Sequence, residues 1–126
     1  CFPSILKGTI MVASRKITDS MAICAAHSIA DFAEARGIAP DNIMPTMMEW
    51  ELFPKVAADV AMQAINEGLA RKIMTWDEVY EEAKKDIIKA HEMTQLLQDK
   101  GYIKPLDEQV IRETVAQVVE QIQKQA

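Results

Sequence analysis

The chain has 126 residues, 49% of them hydrophobic, with a formal net charge of −5. That is one domain's worth of polypeptide, apolar enough to argue against disorder and able to bury roughly two-thirds of its surface. Acids and bases are interspersed, which disfavours nucleic acid as a partner. No apolar run reaches the ~20 residues of a membrane span, and there is no signal peptide, so no membrane partner is expected. Two cysteines among eight methionines fit a reducing compartment, and the expected location is cytoplasmic.

Cys1-Phe2-Pro3 reads like the last residues of a buried strand turning into a helix, because Pro3 biases Phe2 towards extended backbone. With no strand before it and no initiator Met, the start suggests a piece of a longer polypeptide. Ile5 to Ala13 is apolar apart from Lys7, Gly8 and Thr9, too short for periodicity to separate strand from helix. Helix is favoured, with Gly8 permitting close packing. After the polar break Ser14-Arg15-Lys16, Thr18 or Asp19 caps a long helix that Gly37 ends. From Met21 to Ala35 this helix is interrupted only by His27, Ser28, Asp31 and Glu34. A helix apolar on nearly every side is expected at the centre of its fold.

Pro40 to Pro45 is a loop. Thr46 and Glu49 are spaced as a capping box for a short helix, which Pro54 interrupts or succeeds. From Lys55 to Leu69 the polar residues Lys55, Asp59, Gln63, Asn66 and Glu67 oppose a broad face of Val56, Ala57, Val60, Ala61, Ala64 and Ile65. This predicts an amphipathic helix stopped at Gly68. Thr75 and Glu78 form a second capping box, with Met74 and Val79 as a hydrophobic staple. The helix they open runs to Lys100 and stops at Gly101. Its seam is Trp76, Val79 or Tyr80, Ala83, Ile87, Ala90, Thr94 and Leu97. Pro105 and Asp107 start the last helix, with Val110, Ile111, Thr114, Val115, Val118, Val119 and Ile122 as its buried stripe and a fraying end. The fold class is therefore mainly α.

Chemical candidates are few. His91-Glu92 opens like a zinc-protease helix, but Gln95 stands where the second histidine must be, so a surface or half-buried histidine is expected and no metal site. His27 reads as a core histidine bonded to backbone and Cys24 as a small core residue. Met44, Met47, Met48, Trp50 and Phe53 make a soft apolar cluster, core by default and an interface as the sharper reading. The pairs Asp31/Glu34 and Glu49/Glu51 read as a solvated edge and a partial cap. No glycine-rich phosphate loop or nucleophile elbow occurs, and no catalytic residue can be named.

Phe2-Pro3-Ser4, then Leu6-Lys7-Gly8, then Ile17-Thr18-Asp19 and an alanine-rich helix, resemble malic enzymes, in particular the C-terminal part of their nucleotide-binding domain. Pro45-Thr46 through Phe53-Pro54, and the helix ending Glu67-Gly68-Leu69-Ala70-Arg71, are similar to the corresponding segment of the shorter, bacterial-type members. The resemblance covers residues 1–72, with 73–126 a C-terminal helical extension. It implies helices drawn from a Rossmann-type α/β domain and metal-dependent oxidative decarboxylation of malate to pyruvate and CO2. NAD or NADP would be the hydride acceptor and Mg or Mn the divalent metal, both held mainly by upstream residues. Phe2, Pro3 and Ser4 would wall the substrate pocket, Ser4 standing where the family has glycine. The implied partners are the upstream portion of the same polypeptide and further copies in a homo-oligomer. The rival readings are a free-standing helical interaction domain and another dehydrogenase with the same type of sheet.

Overall fold

The computed structural model describes residues 2–104 and 107–125. Cys1, expected at the end of a strand, and Pro105, expected at the start of the last helix, lie outside the described residues, as do Leu106 and Ala126. Five helices follow in order: α1 (Phe2–Met11), α2 (Asp19–Arg36), α3 (Leu52–Asn66), α4 (Trp76–Asp99) and α5 (Glu108–Gln125). Among the described residues there is no strand, only an isolated bridge between Ala39 and Asn42. Among the described residues no helix is long and apolar enough to cross a membrane. The chain divides into two compact units, one reaching to Lys89 and the other starting at Ala90.

In the first unit the centre is α3, which packs against both α1 and α2. The expectation that α2 is central is corrected. Its buried positions are only Met21, Ala25, Ser28 and Ala33, while Ile23 is 59% exposed. α3 instead buries Val56, Ala57, Ala58, Val60, Ala61 and Ala64, and these short side chains let two neighbouring helices approach it. Helix is the outcome for the first segment, with Pro3 in the first turn, where its missing N–H is no loss. Gly8 is the point of closest approach, since a Cβ there would lie 2.2 Å from the carbonyl oxygen of Ala57. α1 closes through Ser14 N–H donating to Thr9 C=O, with Ala13 in the left-handed region at φ 49°. Residues 12–15 then run beside 69–72, where Arg15 N–H bonds Leu69 C=O and Arg71 N–H bonds Val12 C=O.

The helix ends follow their caps. Thr18 Oγ1 accepts from Met21 N–H at the start of α2 and donates to Glu67 Oε2 at 2.9 Å, tying that start to the end of α3. Gly37, at φ 98°, ends α2. Thr75 N–H donates to Glu78 Oε2 at 2.7 Å and Glu78 N–H to Thr75 Oγ1 at 3.3 Å, so the second capping box is complete. Its staple residues Met74 and Val79 are both buried. The first box departs from expectation: Thr46 N–H does donate to Glu49 Oε1 at 2.8 Å, yet it closes a turn and the helix begins only at Leu52. Glu49 is engaged there by Arg36 Nη1 at 2.6 Å, which fastens the loop to the end of α2. Met44, Met47 and Met48 are exposed, so the default reading of that cluster as core fails within this chain; Trp50 and Phe53 are half-buried.

On α4 the seam is buried at Val79 and Ala83 and partly at Trp76, Tyr80 and Ile87. Trp76 stacks on Tyr80 with ring centroids 4.9 Å apart, and Lys84 lies over the Tyr80 ring. Lys7 of α1 pairs with Asp86. From Ala90 onward every described side chain is exposed. The seam positions Ala90, Thr94 and Leu97 and the whole expected stripe of α5 are therefore not buried within this chain.

The second unit consists of the later turns of α4, a turn and α5. Tyr102 N–H donates to Leu97 C=O, and Gly101 takes φ 74°. Asp107 caps α5 by accepting from Gln109 N–H at 2.9 Å.

Candidate functional site

The densest polar constellation of the first unit is centred on Asp59, halfway along α3. Its Oδ2 accepts from Ser28 Oγ of α2 at 2.5 Å and from Lys55 Nζ at 2.8 Å, and its Oδ1 accepts from Trp76 Nε1 of α4 at 2.7 Å. Lys55 Nζ also reaches Ser28 Oγ at 3.1 Å. The cluster forms the floor of a shallow cleft of about 360 Å³, with Cys24, His27 and Asp31 along the α2 side.

The electrostatics decide what this cleft can do. Burial works against the charge on Asp59, but hydrogen bonds from Lys55, Ser28 and Trp76 and the Lys55 charge outweigh it. The carboxyl is held below the usual range. A carboxylate whose oxygens are occupied by three donors, and which is held ionised, is a poor proton acceptor near neutral pH. Burial pushes the Cys24 thiol up, the Asp59 charge adds to the rise, and Lys55 offsets part of it. The thiol stays protonated and is a weak nucleophile. Among the described residues no group of three or more His, Cys, Asp or Glu is placed to hold a metal. Asp59 is thus a tie binding α2, α3 and α4 together.

The sequence candidates fall as follows. His27 is exposed on the rim of the cleft, correcting its reading as a core histidine, and Cys24 is half-buried rather than core. His91 is exposed in the second unit, and Asp31 and Glu34 are both exposed. Phe2 and Pro3 open α1, and Pro3 is exposed. Ser4 is buried, and its Oγ has no hydrogen-bond partner among the described residues. The sequence alone places Asp59 only on the polar stripe of its helix. The overlooked signal was Ser28, the one hydroxyl among the polar breaks between Met21 and Ala35, since a hydroxyl that becomes buried must find a partner.

The Asp59 tie makes a test in which the charge itself is the variable. Asp59→Asn should destabilise the first unit by about 2 kcal/mol at pH 7, the scale of hydrogen bonds to a charged group. The Asp59 pKa is depressed on folding from its ordinary 3.8. Its contribution is therefore complete above about pH 5 and is lost as pH falls through the folded value. The gap between wild type and Asp59→Asn, from urea unfolding followed by Trp50 and Trp76 fluorescence, should hold between pH 7 and 5 and shrink towards pH 3. Glu49, Glu78 and Asp86, also depressed, are common to both proteins and cancel. A gap unchanged down to pH 3 would rule the assignment out.

Fold and cleft together define a helical scaffold segment, with one buttressed face and a carboxylate tie at its centre. Residues 1–67 match the family described as malic enzyme, NAD binding domain, and the chain belongs to that family. It superposes on the crystal structure of the Entamoeba histolytica malic enzyme with a TM-score of 0.89 at 51% identity, over 96% of this chain and 25% of that one. On the crystal structure of the malic enzyme from Pyrococcus horikoshii Ot3 the TM-score is 0.72 at 32% identity, over 79% and 22% of the two chains. It is 31% identical to the bifunctional malic/malolactic enzyme of Bacillus subtilis over 84 residues, 67% of this chain and 20% of that protein. With the NADP-dependent malic enzyme of Halomonas elongata the identity is 28% over 100 residues, 63% of this chain and 24% of that protein. The chain thus spans a fifth to a quarter of the length of these relatives.

Proposed function

We propose that this chain is the C-terminal helical part of a malic enzyme's cofactor-binding domain. The polypeptide carrying it would oxidise and decarboxylate malate to pyruvate and CO2, with NAD or NADP accepting the hydride. The observation that carries the reading is the 51% identity to a solved malic enzyme across nearly the whole chain, joined to the family match over residues 1–67. On this reading α1, α2 and α3 descend from one side of a Rossmann-type α/β domain. Upstream residues of the same polypeptide then lie over the outer face of α2, where Ile23 is exposed in this chain.

A divalent metal, Mg or Mn, belongs to the same reading. The described residues offer it no set of donors, so no step through it is assigned to this chain. The chain would contribute shape. Phe2, Pro3 and Ser4, at the opening turn of α1, would form part of the substrate-pocket wall.

The test uses the complete polypeptide that carries this sequence, incubated with malate, a divalent cation and either NAD or NADP. Absorbance of the reduced cofactor should rise together with pyruvate. A flat trace with both cofactors, from a protein whose tryptophan fluorescence reports a folded first unit, would overturn the proposal.

A further inference from the structure

α1 is fixed to the rest of the first unit at two places of different kind. At Gly8 it lies against the backbone of Ala57 in α3, where a Cβ would not fit. Just beyond its last turn the chain is fastened by hydrogen bonds from residues 71 and 72. Val12 C=O accepts from Arg71 N–H and from Lys72 N–H, each at 3.0 Å, and Ala13 C=O accepts from Arg71 Nε at 2.9 Å. Arg71 thus holds successive carbonyls, one with its backbone and one with its side chain. The second belongs to Ala13, whose φ of 49° lies in the left-handed region that a non-glycine residue adopts only at some cost.

We propose that Arg71 is a positioning residue for the malate reaction, which rests on the reading of residues 2–4 as pocket wall. Its side chain fixes the far end of α1 and, through the helix, the place of that opening turn. Gly8 is the fulcrum. Ser4 and Pro3 stand four and five residues before it, and Val12 and Ala13 four and five after it. At 1.5 Å per residue both arms are ~6–8 Å long. A sideways shift at the clamp therefore reappears at the turn at about the same size.

The other contacts of α1 lack either the direction or the arm. Ile5, Met11 and Val12 hold this segment to the core, but apolar burial is non-directional and tolerates a small pivot. The Lys7–Asp86 pair adjoins the fulcrum and has no arm to act through. Thr9 Oγ1 donates only to carbonyls of α1 itself, those of Ile5 and Leu6. The clamp has both, because hydrogen bonds are directional and these lie past the helix end. Its backbone bonds persist whatever side chain stands at 71, so the Nε bond is the part that belongs to arginine. Without it Ala13 can leave the left-handed region, and the direction in which the chain departs from α1 changes. The bond is exposed, so water competes for it and it adds little to stability. Position is what it supplies.

The test uses the complete polypeptide and separates the two substrates. R71M removes the donor while keeping a long side chain. It should raise KM for malate at least ~5-fold, with KM for the nicotinamide cofactor within ~2-fold of wild type. A smaller folded fraction would instead lower kcat and leave both KM values alone. R71Q carries an amide nitrogen as many bonds from Cα as Nε is, without the charge. It should bring KM for malate back to within ~2-fold of wild type. K16M removes the neighbouring cation of the same cleft and should leave KM unchanged. In the 126-residue chain, R71M should keep the urea midpoint of Trp50 and Trp76 fluorescence within ~0.5 M of wild type. An active enzyme whose R71M variant keeps the wild-type KM for malate overturns the role of Arg71 and leaves the reading of activity standing. So does an R71Q variant no better than R71M, a K16M variant as impaired as R71M, or a midpoint lowered by more than ~1 M. A polypeptide that turns over no malate overturns both.

Discussion

Met21→Ala should cost the first unit about 3 kcal/mol, read as a fall in the urea midpoint of Trp50 and Trp76 fluorescence. Met21 is among the largest side chains with essentially no exposure, and it belongs to the cluster that includes Ala25 of α2, Val56 and Val60 of α3 and Val79 of α4. Truncating it to Ala removes everything beyond Cβ and leaves a void that helices held by short side chains cannot close. Buried Met→Ala changes cost 2–5 kcal/mol for this reason. The small gain in helix propensity, a few tenths of a kcal/mol, does not change the sign. Ile23, on the same helix but facing outward, is the internal comparison, and Ile23→Ala in the 126-residue chain should stay within about 0.5 kcal/mol. In the complete polypeptide, where upstream residues are proposed to cover that face, the same substitution should cost at least 1 kcal/mol. Equal, small losses for both variants would mean that the core is not where the burial pattern puts it.

That contrast between Met21 and Ile23 also explains what could be read from the sequence. Helix boundaries were legible because caps are local: Thr18, Gly37, Thr75, Gly101 and Asp107 act on backbone groups within a turn of themselves, and each does so here. The mainly helical character and the resemblance to malic enzymes were legible for the same reason, each resting on short ordered stretches. Burial was not. Periodicity marks which face of a helix is apolar, yet what covers that face is a property of other segments. α5 has a clear stripe whose residues are all exposed, and on the outer side of α2 the apolar Ile23 is exposed as well. Nor could the sequence reveal that α3 takes the centre, since that follows from how closely backbones approach at alanines and at Gly8. The Asp59 tie was missed by the same logic. Its donors come from positions 28, 55 and 76, and only the fold brings them together.

Gly8→Ala should destabilise the first unit by about 2 kcal/mol, although the same change in an isolated helix would stabilise it by about 1 kcal/mol. The opposition of these effects gives the test its force. A Cβ at position 8 would lie 2.2 Å from Ala57 O, 3.1 Å from Ala57 C and 3.2 Å from Ala57 Cα. All three are backbone atoms in the middle of α3, so no rotamer change can relieve the contact. α1 must move away from α3 and open the packing on both sides, and overpacking of this kind costs 1–3 kcal/mol and occasionally more. Gly8→Val, with its branched Cβ, should cost more still and abolish cooperative unfolding. The displacement would also be felt at the start of α1, because a rigid helix carries Phe2, Pro3 and Ser4 with it. If that turn walls the substrate pocket as proposed, Gly8→Ala in the complete enzyme should lower kcat/KM for malate by at least ~10-fold at temperatures where it remains folded, since displacements near 1 Å can cost two orders of magnitude. A Gly8→Ala variant more stable than wild type would contradict the close contact between α1 and α3. A variant that loses stability but keeps full kcat/KM would leave that contact standing and remove the first turn of α1 from the pocket.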